Sequence, residues 1–226
     1  MFIVRSLFLF LLLSSSSSYA EEKLNYVINI VGVEFGNATM YTSKGKLYGE
    51  MSTNEKWGGV YKVDNKMASK TRKNGIPYKS EIEYNTTKVN SNYQFNFSRN
   101  KVKIVRTSKE KKRSFTKKRN TRVYDFLSMM QLVRKKVKDM KPLSYSVITG
   151  RKIYDINFVP IGKESLTTLL GVKETFTYDV IVTRPGGFKQ KMKVWFEDNV
   201  LSTPIRLDGR TKLGSFEIML THKSLK

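Results

Sequence analysis

The sequence predicts a mainly β protein: a curved antiparallel sheet or open barrel of about nine to eleven short strands, crossed by one amphipathic helix. Three observations predict it. Apolar residues alternate with polar ones over most of the chain, turn-forming residues punctuate the alternating runs, and a single segment switches to helical spacing.

The alternation is clearest in NYQFNFSRNKVKIV, where Tyr93, Phe95 and Phe97 oppose Gln94, Asn96 and Ser98, and Val102 and Ile104 oppose Lys101 and Lys103. It recurs in ETFTYDVIV, with Phe176, Tyr178, Val180 and Val182 on one face. In KMKVWF, Met192, Val194 and Phe196 lie opposite Lys191, Lys193 and Trp195, and GSFEIML places Phe216, Ile218 and Leu220 together. One face of each strand is therefore expected to be buried and the other wet. Turns are expected at Asn74-Gly75, Pro185 to Gly187, Glu197 to Asn199 and Asp208-Gly209.

The helical segment is expected from Val123 to Met140. Val123, Phe126, Leu127, Met130, Val133, Val137 and Met140 fall at spacings of three and four, which put them on one helix face. Asp125 stands at the start, Arg134, Lys135, Lys136 and Lys138 near the end, as the helix dipole prefers, and Pro142 closes the segment. The apolar stripe should lie across the buried face of the sheet.

Two further features bear on compartment. The opening MFIVRSLFLFLLLSSSSSYA carries Arg5, an apolar run from Leu7 to Leu13 and small residues at Ser18 and Ala20, the pattern of a secretory signal cleaved before Glu21. The run is too short to span a bilayer, which needs about 20 apolar residues. Residues 1–20 thus read as a signal and 21–226 as one β-rich domain. The chain has no cysteine, which rules out disulfides, thiolate metal sites and a cysteine nucleophile. Export without disulfides points to a bacterial envelope, the periplasm if the cell is Gram-negative.

The LNYVINIVGVEFGNATM opening, the NGIPYKSEIEYN segment, the VYDFLSMMQLVRKK helix and the VWFEDNVLSTPIRLDGRTKLGSFEIML ending resemble the bacterial exported family known as domain of unknown function 3108. The resemblance runs from about Leu24 to Leu220. It implies an exported β-rich protein and carries no catalytic residues over.

Charge is the strongest functional signal. Lys and Arg number 42 against 19 Asp and Glu, a formal net charge of +23. In SKEKKRSFTKKRN, Lys109, Lys111, Lys112, Arg113, Lys117, Lys118 and Arg119 stand against Glu110 alone. Such a tract reads first as a solvated hairpin and second as a contact for anionic lipid, lipopolysaccharide or acidic glycan, with peripheral membrane contact at most. Nucleic acid is not expected as a partner in vivo, because the export signal removes the chain from it.

Enzyme chemistry has little support. His222 is the only histidine, no metalloprotease, nucleophile-elbow or P-loop pattern occurs, and no metal or cofactor is expected. Glu81 with Glu83 reads as a solvated strand face, and Glu197 with Asp198 as a turn. Asp125 and Ser128 read as a helix cap. A final candidate is an apolar ligand face between helix and sheet, formed by Phe126, Met130, Val133, Val137, Phe176, Tyr178 and Phe216, with methionines such as Met129, Met140, Met192 and Met219 able to adapt to an irregular ligand. Binding of a lipid-like or anionic envelope component is the first functional reading. A structural role through protein contacts, with the charge serving solubility, is the second.

Overall fold

The protein was analysed as a computed structural model that describes residues 21–225 apart from 44, 60, 110, 212 and 213. The signal-like segment and Glu110 lie outside the described residues. The rest forms one 15-stranded sheet, more than the nine to eleven expected. The additional strands are polar and small-residue ones, such as KLYGEMST and VDNKMASKT. Their inward positions, Leu47, Gly49 and Met51 in one and Val63, Asn65, Met67 and Ser69 in the other, hold one branched aliphatic residue each, so the alternation has little hydrophobic contrast.

The strands are β1 (Glu22–Ile30), β2 (Val33–Ser43), β3 (Lys46–Thr53), β4 (Val63–Thr71), β5 (Pro77–Thr86), β6 (Val89–Phe97), β7 (Lys101–Ser108), β8 (Lys111–Lys118), β9 (Val123–Tyr124), β10 (Leu143–Thr149), β11 (Lys152–Thr168), β12 (Gly171–Arg184), β13 (Phe188–Glu197), β14 (Pro204–Thr211) and β15 (Gly214–Leu225). Sheet order runs β8-β7-β6-β5-β4-β3-β2-β1-β15-β14-β13-β12-β11-β10-β9. Two meanders are thus joined where β1 pairs with β15, and every pairing is antiparallel except the short β9 with β10. The edge strands β8 and β9 are consecutive in sequence, so the seam of the open barrel lies between them. Contacts between strands remote in sheet order show the curl: Tyr84 Oη lies 2.6 Å from Thr149 Oγ1, and the Arg151 guanidinium sits over the Phe115 ring at 5.4 Å.

The Asn74-Gly75, Pro185 to Gly187 and Glu197 to Asn199 segments turn as expected. At the first, Gly75 has φ +78° and Ile76 N–H is capped by Asn74 Oδ1 at 3.2 Å. Asp208-Gly209 does not turn; it lies inside β14. A Cβ at Gly209 would stand 2.5 Å from the Phe216 ring, so this glycine makes room for a core aromatic instead of bending the chain.

A four-residue helix α1 (Glu55–Gly58) caps one end. The main helix, α2, is shorter than expected, Phe126–Arg134, followed by a 3-10 turn at Val137–Asp139. Its start is set by Asp125, which is extended and accepts the Ser128 N–H at 3.0 Å, so Val123–Tyr124 pairs as β9 instead. Met140 is left-handed, with φ +48°, and the chain then leaves for Pro142 and β10. The helix fills the barrel rather than lying over an open face: Phe126, Leu127, Ser128, Met129, Met130, Gln131, Val133 and Arg134 are all buried. It packs against β3, β4 and β10.

The charged groups that enter the interior with the helix are bonded there, whereas the buried Gln131 Oε1 has no hydrogen-bond partner among the described residues. The Asp125 carboxylate accepts from Ser69 Oγ on β4 at 2.8 Å. Burial pushes Asp125 above the ordinary carboxylate value, and the bonds from Ser128 and Ser69 hold it back. At the other end, Arg134 Nη1 and Nη2 donate to the two Glu22 oxygens at 2.9 and 3.0 Å, and its Nε donates to the Leu201 carbonyl at 2.9 Å. The helix is thereby tied at both ends to the wall around it.

Candidate functional site

The seven residues expected to form an apolar ligand face are all buried. Phe126 is 8%, Phe216 5%, Phe176 2% and Met130, Val133, Val137 and Tyr178 0% exposed. Tyr178 Oη donates to the Val137 carbonyl at 2.7 Å, locking helix exit to wall. Of the seven, Phe216 reaches a surface cleft of about 890 Å³, which is also lined by Val31 and Met192 and by polar residues such as Asp179, Lys191, Arg206 and Asp208. These side chains act as core, with the helix occupying the space a ligand would need.

The basic tract forms a hairpin at the seam. In β8 the residues at Lys111–Ser114 and Thr116–Lys118 are exposed on both strand faces, with Phe115 half-buried. Register splits the cations. Lys111, Arg113 and Lys117 share the face of Phe115 and stand opposite Ser108, Arg106 and Val102, whereas Lys112 and Lys118 point the other way with Lys101. Arg106, Ser108, Lys109, Lys111 and Arg113 line a cleft of about 490 Å³. No carboxylate lines it among the described residues.

The centre of this cleft is a cross-strand pair of like charges, Arg106 opposite Arg113. Like charges directly opposite destabilise a sheet. Arg106 is held over the Tyr93 ring at 5.7 Å and donates to Ser91 Oγ at 3.1 Å, while its buried Nε has no hydrogen-bond partner. Arg106 belongs to the wider basic stretch from Lys101 to Arg122 but not to the seven-residue tract expected to bind, and Arg151 carries no signal in the sequence. Arg106 has the parity of Val102 and Ile104 and reads there as one more strand cation, and Arg151 comes to Phe115 only because the barrel curls.

Arg119 departs from the expectation of a free cation. It makes an ion pair with Asp155 of β11, with one Nη2 to Oδ2 distance of 2.6 Å, and Ser146 Oγ also donates to Asp155 at 2.8 Å. Burial alone would push Asp155 up, but the bonds from Arg119 and Ser146 and the guanidinium charge hold it below the ordinary carboxylate value. Arg119 therefore fastens the seam and leaves six cations of the tract for a partner.

The acidic pairs are engaged in surface structure. Glu81 accepts from Asn92, and Glu83 lies opposite Lys66. Glu197 pairs with Lys173 at 3.2 Å and Asp198 with Lys163 at 2.8 Å. His222 pairs in register with Asn25 after a bulge, so it leaves the inward parity of Leu220 and is exposed. Among the described residues no group of three or more His, Cys, Asp or Glu could hold a metal ion. No described helix is long and apolar enough to cross a membrane.

A curled antiparallel sheet with a helix sealed inside and a cationic hairpin at its seam defines a β-barrel-like protein. This chain belongs to the family described as protein of unknown function DUF3108, whose model matches residues 24–221. No curated protein matches it. Among solved structures it is similar to a β-barrel-like protein of domain of unknown function DUF1849 from Brucella abortus, at 7% identity and TM-score 0.66, over 92% of this chain and 98% of that one. The hypothetical lipoprotein YmcC from Escherichia coli matches at 11% identity and TM-score 0.37, over 91% of this chain and 85% of that one. The first likeness establishes the barrel-like fold.

Proposed function

We propose that this is an exported, non-catalytic protein of the bacterial cell envelope that binds an anionic envelope component at the β7–β8 hairpin. The observation that carries this reading is the cleft itself, in which Arg106, Lys109, Lys111 and Arg113 converge without a carboxylate among the described residues. Phosphates of a lipid headgroup or of lipopolysaccharide, or carboxylates of an acidic glycan, would relieve the Arg106–Arg113 repulsion and satisfy the buried guanidinium N–H. Each cation near an anionic surface contributes about 1 kcal/mol. Four engaged residues then give roughly a thousandfold preference, confined by screening to charges within about 8 Å at physiological salt.

The packed interior favours surface binding over carriage of an apolar ligand inside the barrel. It also favours a second reading, in which the outer faces hold a protein partner and the charge serves solubility. Co-sedimentation with vesicles separates the two. The first reading requires stronger pelleting with anionic than with neutral vesicles at low salt, lost as salt rises, and equal pelleting with both removes it.

A further inference from the structure

The antiparallel connections place the β11–β12 hairpin, the β13–β14 loop, the end of β15 and the start of β1 at one end of the barrel, opposite the β7–β8 tip. That end is unusually apolar for a surface. Leu169 is 63%, Val172 67%, Val200 87% and Leu225 55% exposed, and Leu170 stands beside them. These side chains come from three separate segments and stand open to solvent. β11 runs ten residues past its last pairing with β10 at Phe158, so the hairpin projects beyond the wall.

The β11–β12 hairpin and the end of β15 share one surface. Leu170, Ile205, Leu220 and Leu225 line a cleft of about 390 Å³ together with Lys173, Lys223 and Glu197. The bond from Arg134 Nε to the Leu201 carbonyl brings the end of α2 to the loop that carries Val200. Immediately after it come Lys135, Lys136, Lys138 and Lys141, all exposed and in no ion pair among the described residues. The acids nearby are mostly occupied, Asp198 by Lys163 and Glu197 by Lys173, leaving Asp139 exposed.

We propose that this end of the barrel docks on an anionic lipid bilayer, with Leu169, Leu170 and Val172 entering the headgroup boundary and Lys135 to Lys141 resting against lipid phosphates. Apolar side chains on projecting tips, ringed by lysines that can extend sideways to phosphate, are what interfacial binding requires. A protein interface of stable size would instead need a contiguous, complementary patch. The proposal rests on different residues from the cationic cleft, and both can hold, the cleft then facing away from the docked membrane.

The absence of cysteine allows single labels. An environment-sensitive fluorophore at Leu169→Cys is compared with one at Val33→Cys, which is 54% exposed at the opposite end. The probes are vesicles of phosphatidylglycerol and phosphatidylcholine, with brominated acyl chains as quenchers. The expected result is a blue shift and quenching at position 169 and none at 33, with the Leu169→Glu/Val172→Glu protein weakened roughly tenfold or more in vesicle affinity at an unchanged urea midpoint. Protein that pellets with vesicles while the label at 169 stays in water, or while 33 responds equally, overturns this proposal and leaves the cleft reading standing. Failure to pellet at all overturns both.

Discussion

Arg134 and Glu22 carry opposite full charges into the barrel interior, with side chains 0% and 3% exposed. Removing one partner of such a pair leaves a buried charge without its counter-ion, so Arg134→Met should cost about 3–5 kcal/mol in urea unfolding. The Glu22→Gln/Arg134→Met double variant should recover part of that loss. Asp125 is the complementary case at the helix start. Its folded value is raised by burial, so the stability linked to its proton is present below the ordinary carboxylate value and lost as pH rises through the folded one. Asparagine keeps a capping oxygen but does not titrate. The stability of Asp125→Asn relative to the natural protein should therefore increase from pH 4 to pH 7, and chemical unfolding at both values checks it. Asp125→Ala, which removes the cap, should cost about 1 kcal/mol or more.

At the scale of elements, the seam decides whether the open sheet stays curled. Asp155 lies below the ordinary carboxylate value, so its contribution is present above that value and disappears as pH falls through the lower folded one. Thermal melting should show a fall in midpoint below about pH 4 that Asp155→Asn flattens. β8 is an exposed edge, and its lysines also keep that edge from pairing with other chains. Replacing Lys112, Lys117 and Lys118 by threonine should raise light scattering on standing even where binding is unaffected. These elements also mark how far the sequence was legible. The strands rich in aromatic and β-branched residues, such as β6, β7, β12 and β13, read directly, as did the capping role of Asp125. The polar strands β2 to β4 did not, because alternation among Gly, Ser, Asn and Met carries little hydrophobic contrast. Asp208-Gly209 misled because a glycine that opens space for Phe216 looks, in one dimension, like a turn. The helix seemed longer than it is because Val123 and Met140 keep the helical phase while lying outside the helix.

At the scale of the whole molecule, curling the sheet converts a linear tract into two classes of cation. Arg119 is drawn into the wall by Asp155, whereas Arg106, Lys109, Lys111 and Arg113 meet in one cleft. Sequence could identify the tract but not this division, which depends on strand register and on contacts between β8 and β11 across the seam. Closure also turns the apolar faces into a filled interior. The central claim is that the hairpin cations bind an anionic envelope component. Its most direct test is a titration of phosphatidylglycerol vesicles with the Leu169→Glu/Val172→Glu protein, in which docking by the other end is removed, and with the same protein further carrying glutamine at Arg106, Lys109, Lys111 and Arg113, at low and at physiological salt. A loss of affinity on the order of a thousandfold at low salt, with an unchanged melting temperature, is the predicted result. Equal affinity of the two proteins for the vesicles would contradict it.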